Sequence, residues 1–278
     1  MLWFSYKNIY FRTMLLDGLI KYDIYSPTII IILVIAGFLV GFINTLAGSG
    51  TIISYSVFMA LGLPPSYANG TIRVGVIMQT LASSFMFKKG SFLDVKKGLS
   101  LAFPTVIGSI VGAQIAIDIN QVIFNYLVGG AMFLMLIFLV FKPQKWIAEK
   151  EGKGISLSYH LQFIIYLLIG VYGGFIHIGV GIFLLAALVL ISGYDLLRAN
   201  ALKVFIVLMY SPFALFIYMY NDHVQYGMAL ISSIGNVLGG MLASRLAMSW
   251  GSQFIHWVLL VVIILFTAKT FGLLDYLM

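Results

Sequence analysis

The sequence predicts an all-α, polytopic integral membrane protein of eight to ten transmembrane segments, two of them short and broken, arranged as two homologous helical repeats. Three observations carry the prediction. Of 278 residues, 62% are hydrophobic and only 9% charged, with a mean hydropathy of +1.06. A soluble domain carries about 25% charged residues, so this chain has too few polar groups to cover a water-facing surface. The apolar residues come in long runs without the short alternating strands of a barrel, which leaves helices to satisfy the backbone in lipid. Finally, the chain repeats itself at a constant offset of 131 positions: Gly48-Ser49-Gly50 returns as Gly179-Val180-Gly181, Gly62 as Gly193, Ala68-Asn69 as Ala199-Asn200, Gly108 as Gly239 and Ala116 as Ala247. Repeats of this size in an apolar chain are characteristic of transporters whose site lies where the halves meet.

The elements follow in order. Residues 1–27 form an N-terminal segment holding Lys7, Arg12, Asp17, Lys21 and Asp23 among Trp3, Phe4, Phe11 and Leu15. These charges leave no apolar core for a cleavable signal, and the mixture predicts an amphipathic helix at the membrane interface. Residues 28–141 are the first repeat, with runs at Thr28 to Ala47, Thr51 to Leu63, Ala68 to Phe87, Gly98 to Ile117 and Val122 to Phe141. Residues 142–158 are a polar linker with Glu149, Lys150, Glu151 and Lys153. Residues 159–278 repeat the order: Leu161 to Ile178, Ile182 to Ser192, Ala199 to Tyr220, Tyr226 to Met248 and Gln253 to Phe271. The second run of each half is short. About 12 residues of helix reach about 18 Å, against a hydrocarbon core of about 30 Å. Each short run follows a glycine break, which predicts a half-helix whose N-terminus opens inside the membrane. A tilted full span is the alternative.

Loop charge speaks to topology. Lys88, Lys89, Lys96 and Lys97 surround the loop after the third run, whereas its counterpart holds Asn221, Asp222 and His223 with no Lys or Arg. The first loop is then cytoplasmic and the second is not. Equivalent loops on opposite sides require inverted repeats with five crossings each. Shared crossings would give eight spans and parallel repeats, and Lys7, Arg12 and Lys21 count toward that version.

With these motifs the chain resembles the sulfite exporter TauE/SafE family. The first half carries Gly37-Phe-Leu-Val-Gly-Phe-Ile-Asn-Thr-Leu-Ala-Gly-Ser-Gly50, Leu61-Gly-Leu-Pro64 and Ala68-Asn-Gly-Thr-Ile-Arg73. The second carries Gly170-Val-Tyr-Gly-Gly-Phe-Ile-His-Ile-Gly-Val-Gly181, Gly193-Tyr-Asp-Leu-Leu-Arg-Ala-Asn-Ala-Leu-Lys203 and Gly235-Asn-Val-Leu-Gly-Gly240. The resemblance implies export of sulfite or organosulfonates across the bacterial inner membrane. Ser49 and Thr51 stand where glycines are common in that family, and Ser54-Tyr55 where a proline is often seen.

The candidate substrate-binding residues are read from the breaks outward. Gly48, Ser49, Gly50, Gly179 and Gly181 would bring helix N-termini, with unpaired N–H groups and partial positive charge, against an anion. Asn69 and Arg73 share one helix face, and Asn200 and Lys203 share the repeat-equivalent face. Each pairs an amide with a cation suited to an oxyanion. Snorkelling to headgroups is the alternative for both cations. Asn44, Thr45, Thr51 and Thr71 add neutral donors near the first break, and Gln79 and Asn236 lie deeper. His177 precedes the second break, where it can titrate or act as a structural donor. Gly37/Gly41, Gly108/Gly112 and Gly235/Gly239 are small-residue pairs suited to helix packing. Arg198 and Arg245 are read as topological anchors, with Asp195 within reach of Arg198.

Absences narrow the function. There is no cysteine, hence no disulfide or thiol chemistry. No acid sits deep in an apolar run, where carriers of cations usually need one. The expected partners are a small anion and the lipid bilayer, without nucleic acid. A homo-oligomer is left open, and no cofactor, metal or enzymatic activity is expected. A passive anion channel would use the same residues. An intramembrane serine hydrolase would use Ser49 and His177, but Val180 replaces Ser49 in the second repeat and no membrane-embedded acid could orient His177.

Overall fold

A computed structural model describes residues 23–120, 122–124, 126–127, 130 and 157–270. The interfacial segment up to residue 22, most of the run from Val122 to Phe141, the linker up to residue 156 and residues 271–278 lie outside the described residues.

Among the described residues every regular element is helical. Helix α1 spans Pro27–Leu46, α2 Thr51–Ala60, α3 Pro65–Lys89 and α4 Val95–Asp118. The second half follows with α5 at Tyr159–Phe175, α6 at Val180–Ala186 continued by a π-helical turn at Ala187–Ile191, α7 at Leu196–Tyr220 and α8 at Tyr226–Thr270. Local chemistry sets the ends. Pro27 and Pro65 open α1 and α3, where a missing N–H costs no hydrogen bond. Asp94 caps α4 by accepting from Lys97 N at 2.9 Å. Asp195 caps α7 by accepting from Leu197 N and Arg198 N, each at 3.0 Å, and also pairs with the Arg198 guanidinium at 3.6 Å. Gly251, at φ 71° and ψ −164°, kinks α8.

The breaks have matching backbones. Gly48 (φ 79°) and Gly179 (φ 74°) are left-handed and 131 positions apart, as are Gly62 (φ 106°) and Gly193 (φ 69°). An L side chain is strained there. At the first break the turn closes with Gly48 N donating to Asn44 O at 3.0 Å, satisfying a carbonyl the helix end leaves free.

Side-by-side residues fix the helix directions. Gly37 abuts Ser232 and Asn236, and Gly239 abuts Phe38 and Phe42, so α1 and α8 run parallel. Gly75 meets Asn236, Gly240 meets Gln79 and Ser83, and Gly90 meets Met248, so α3 shares their direction. Gly108 lies by Leu167 and Val171 and Gly112 by Val171 and Phe175, making α4 and α5 parallel. Helix α7 joins them through Gly98 with Leu202 and Phe205, and through Ser109 with Tyr210. Between the two groups α3 and α7 are antiparallel: Asn69 reaches Tyr218, while Thr80 shares a cavity with Lys203 and Val207. Helices at equivalent places in the two halves therefore point in opposite directions. A Cβ at Gly37, Gly41, Gly108, Gly112, Gly235 or Gly239 would collide with the partner backbone, as close crossings of membrane helices demand.

Four described helices are long and apolar enough to cross a membrane: Pro27–Leu46, Val95–Asp118, Leu196–Tyr220 and Tyr226–Val258. Helix α3 has the length, 25 residues or about 37 Å, but gives up hydropathy to a buried polar face of Asn69, Thr71, Arg73, Gln79, Thr80, Ser83 and Ser84. Large apolar side chains such as Ile31, Phe85, Phe103, Leu168 and Phe216 are exposed. Polar groups inside and apolar groups outside are the distribution lipid requires.

Candidate functional site

The two breaks meet each other. A Cβ on Gly48 would strike the Gly181 backbone, and one on Gly181 would strike Gly48. Only two glycines can cross this closely. Thr51 Oγ1 donates across the same junction to His177 O at 3.5 Å.

Two buried cations hold the junction. Lys203 on α7 donates from Nζ to Asn44 O at 3.1 Å and Thr45 O at 2.7 Å. Arg73 on α3 donates from Nη1 to Gly173 O at 3.1 Å and from Nη2 to Gly174 O at 2.5 Å, with its guanidinium 4.7 Å from the centre of the Tyr218 ring. Each cation thus caps the C-terminal carbonyls of the other half's first helix, where the helix dipole is negative. Arg73 is 0% exposed and Lys203 1%, so neither reaches the headgroups.

Around the first break, Asn44 Nδ2 donates to Gln79 Oε1 at 3.1 Å and Gln79 Nε2 to Thr45 Oγ1 at 2.9 Å. Thr45 Oγ1 lies 3.2 Å from Ser83 Oγ. Around the second, Asn69 Nδ2 donates to Phe175 O and to the Tyr218 hydroxyl, each at 2.7 Å, while its Oδ1 accepts from His177 N at 3.4 Å. Thr71 donates to Tyr67 O at 2.7 Å and accepts from Gln225 N at 2.9 Å, bracing the start of α8. Asn200, the repeat counterpart of Asn69, is fully buried with no partner for either amide atom.

A small cavity lies beside the junction, lined by Asn44, Gly48, Gln79, Thr80, His177, Val180, Gly181, Lys203, Val204 and Val207. It has room for about one water molecule. An ammonium, two carboxamides, a hydroxyl and an imidazole face it without any carboxylate. In its protonated form Lys203 has three N–H groups, of which carbonyls take two, leaving one donor. His177 Nδ1 is 3.2 Å from the Tyr210 hydroxyl, and its Nε2 has no partner. The arrangement is suited to a negative solute.

The structure therefore distributes the sequence candidates over distinct places. Asn44, Gly48, His177, Gly181 and Lys203 line the cavity. Ser49, Gly50 and Thr51 lead from the first break into α2, and Gly179 caps α6. Asn69 and Arg73 fasten the end of α5. Sequence reasoning missed Thr80, Tyr210 and Tyr218. The signal was there: Thr80 follows Gln79 within an apolar run, and the two tyrosines stand eight residues apart on one face of a span. Ser49 Oγ has no hydrogen-bond partner, so the Ser–His contact a hydrolase needs is not made. Among the described residues no group of three or more His, Asp, Glu or Cys is placed to hold a metal ion.

Comparison with known proteins gives a consistent picture. A family model described as "Sulfite exporter TauE/SafE" matches residues 33–270. "Probable membrane transporter protein ORF9" of Sinorhizobium sp is 23% identical, covering 83% of this chain and 87% of its own. "Probable membrane transporter protein YfcA" of Escherichia coli (strain K12) is 23% identical over 88% of this chain and 90% of its own. "Probable membrane transporter protein YunE" of Bacillus subtilis (strain 168) is 26% identical over 84% and 94%. No solved structure matches the chain significantly.

Proposed function

The chain belongs to the sulfite exporter TauE/SafE family, and from that premise we propose that it exports a small sulfur oxyanion or organosulfonate across the bacterial inner membrane by alternating access. That it is an integral membrane protein of a transporter family follows from the family match and the spans. The observation that carries the substrate class is Lys203: a buried amine that in its protonated form has one donor to spare, beside a cavity lined by amides and an imidazole and by no acid. In this low-dielectric setting a protonated amine faced by carbonyls but by no carboxylate favours a bound anion.

The opposed directions of equivalent helices support inverted repeats, the architecture in which one half rocks against the other around a central site. By loop charge, the end of α3 with Lys88 and Lys89 is cytoplasmic. Thr80 lies nine residues from that end, about 14 Å along the helix, so the cavity belongs to the cytoplasmic half. A four-atom oxyanion needs more room than about one water, so loading requires the breaks to part. The Gly48–Gly181 contact leaves no wide path between the breaks, which favours a carrier over a channel.

A thermal-shift screen of the purified chain against sulfite, sulfate, thiosulfate and short sulfonates tests this reading. A ligand bound to the folded state raises its apparent stability by mass action. At least one of these anions should raise Tm in the wild type and fail to do so in Lys203→Met. No shift with any of them, or equal shifts in the variant, would reject the anion site.

A further inference from the structure

The 131-residue offset maps the observed cavity onto a second set of residues. Gln79 maps to Tyr210, Thr80 to Ser211, Val180 to Ser49 and Val204 to Arg73, while the other lining residues map to Leu46, Gly50, Ile72, Val76, Phe175 and Gly179. The second set has a distinctive property. Ser49 Oγ, Arg73 Nε and Ser211 Oγ are each fully buried without a hydrogen-bond partner, although buried polar atoms are nearly always paired. Three of the few orphaned atoms in the described residues thus fall on counterparts of cavity-lining residues. A further counterpart, Tyr210, is bulky where Gln79 is slim. Its ring is fully buried, its hydroxyl reaches His177 Nδ1 at 3.2 Å, and it lies against Gly173, whose carbonyl Arg73 holds.

We propose that Ser49, Arg73 and Ser211 form a second anion-binding space on the non-cytoplasmic half of the carrier, closed in this conformation by the Tyr210 side chain. This rests on the inverted-repeat reading above and adds the release side of the transport path. In the observed state the Lys203 space is partly open and the Arg73 space is filled. When the halves exchange conformations, Tyr210 leaves His177 and the three orphaned groups gain a ligand. The donors are a guanidinium and two hydroxyls, so the ligand class is again a small oxyanion. Tyr210 is then a gating residue, and His177 is shared by both spaces: it lines one and latches the plug of the other.

Because the chain has no cysteine, single-cysteine reporters are clean. Thr80→Cys reports the observed cavity, and Ser211→Cys and Ser49→Cys report the closed one. In sealed vesicles of each orientation, a membrane-impermeant thiol reagent should reach Thr80→Cys from the lysine-loop side. It should reach Ser211→Cys and Ser49→Cys from the opposite side, and slowly. Adding Tyr210→Gln should speed labelling of those two by about tenfold and slow labelling of Thr80→Cys, as a shifted two-state equilibrium requires. Tyr210→Phe, which keeps the shape and loses the latch, should act in the same direction more weakly. Labelling of all three reporters from one side would overturn the proposal. So would an unchanged rate at both closed-space reporters in Tyr210 variants that remain monodisperse. The readout is water access and needs no anion, so it fails independently of the thermal-shift screen.

Discussion

The two halves solve one problem with different residues. In each, a cation from the long central helix caps the first helix of the other half. Lys203 does so on Asn44 and Thr45, and Arg73 does so on Gly173 and Gly174. The surroundings differ. Lys203 lies beside a small polar cavity. Arg73 spends both terminal nitrogens on carbonyls and stacks on Tyr218, in a region packed tight by Tyr210. The lesson is that buried basic residues on matching helices can make the same structural contact and differ only in what their neighbours leave beside them.

Removing the caps should break this comparison most severely. Arg73→Ala removes the guanidinium from the Gly173 carbonyl and leaves the Gly174 carbonyl only a 3.4 Å bond from the Tyr218 hydroxyl, at a cost of about 1–3 kcal/mol for each carbonyl weakened in a dry interior. A large fall in Tm of the detergent-purified protein should follow. Lys203→Met fills similar space with a flexible apolar chain, so its Tm should fall less while anion-induced stabilisation disappears. Equal Tm losses in the two variants would erase the functional difference between the halves.

The crossing itself comes next. Gly48→Ala combines a left-handed backbone with a clash against Gly181, about 3 kcal/mol from strain and overpacking together. It should lower folded yield in size-exclusion chromatography. Gly251→Ala also sits at positive φ, with ψ −164° in a region essentially reserved for glycine, but nothing lies within 4 Å of its added Cβ, so its loss, about 1–3 kcal/mol, is backbone strain alone. A Gly48→Ala variant that keeps wild-type folded yield would show that the contact between the breaks is not tight.

The smallest effect tests the correspondence of the halves at their edges. Asp94 and Gln225 are 131 positions apart, and each side chain accepts from the backbone N–H three residues on, Lys97 N at 2.9 Å and Met228 N at 2.6 Å. Asp94→Ala and Gln225→Ala should each cost about 1 kcal/mol. Hydrogen exchange at the first turns of α4 and α8 would register the fraying.

Much of the fold was legible because membrane helices write themselves in hydropathy and in glycine. The long apolar runs and the short ones after Gly50 and Gly181 could be read from local chemistry. Helix α3 was readable as a run, although its hydropathy is diluted by the polar groups that matter. The site was legible only in outline. Arg73 and Lys203 each sit near a helix start, and nothing local says whether such a cation will turn to lipid, to a ligand or to a carbonyl. That choice depends on a helix end contributed by the other half, more than 90 residues away in sequence. Tyr210 and Tyr218 were hidden for the converse reason. A tyrosine in an apolar run reads as packing until a neighbour such as His177 or Asn69 is seen against its hydroxyl.

The central claim is that Lys203 anchors a cavity that binds a small sulfur oxyanion and carries it across the membrane. Uptake of radiolabelled sulfite into proteoliposomes, with and without unlabelled sulfite inside, tests it most directly. The wild-type chain should show saturable flux that trans sulfite accelerates, and Lys203→Met should show none. Flux that rises linearly with sulfite, or that is unchanged in Lys203→Met, would contradict it.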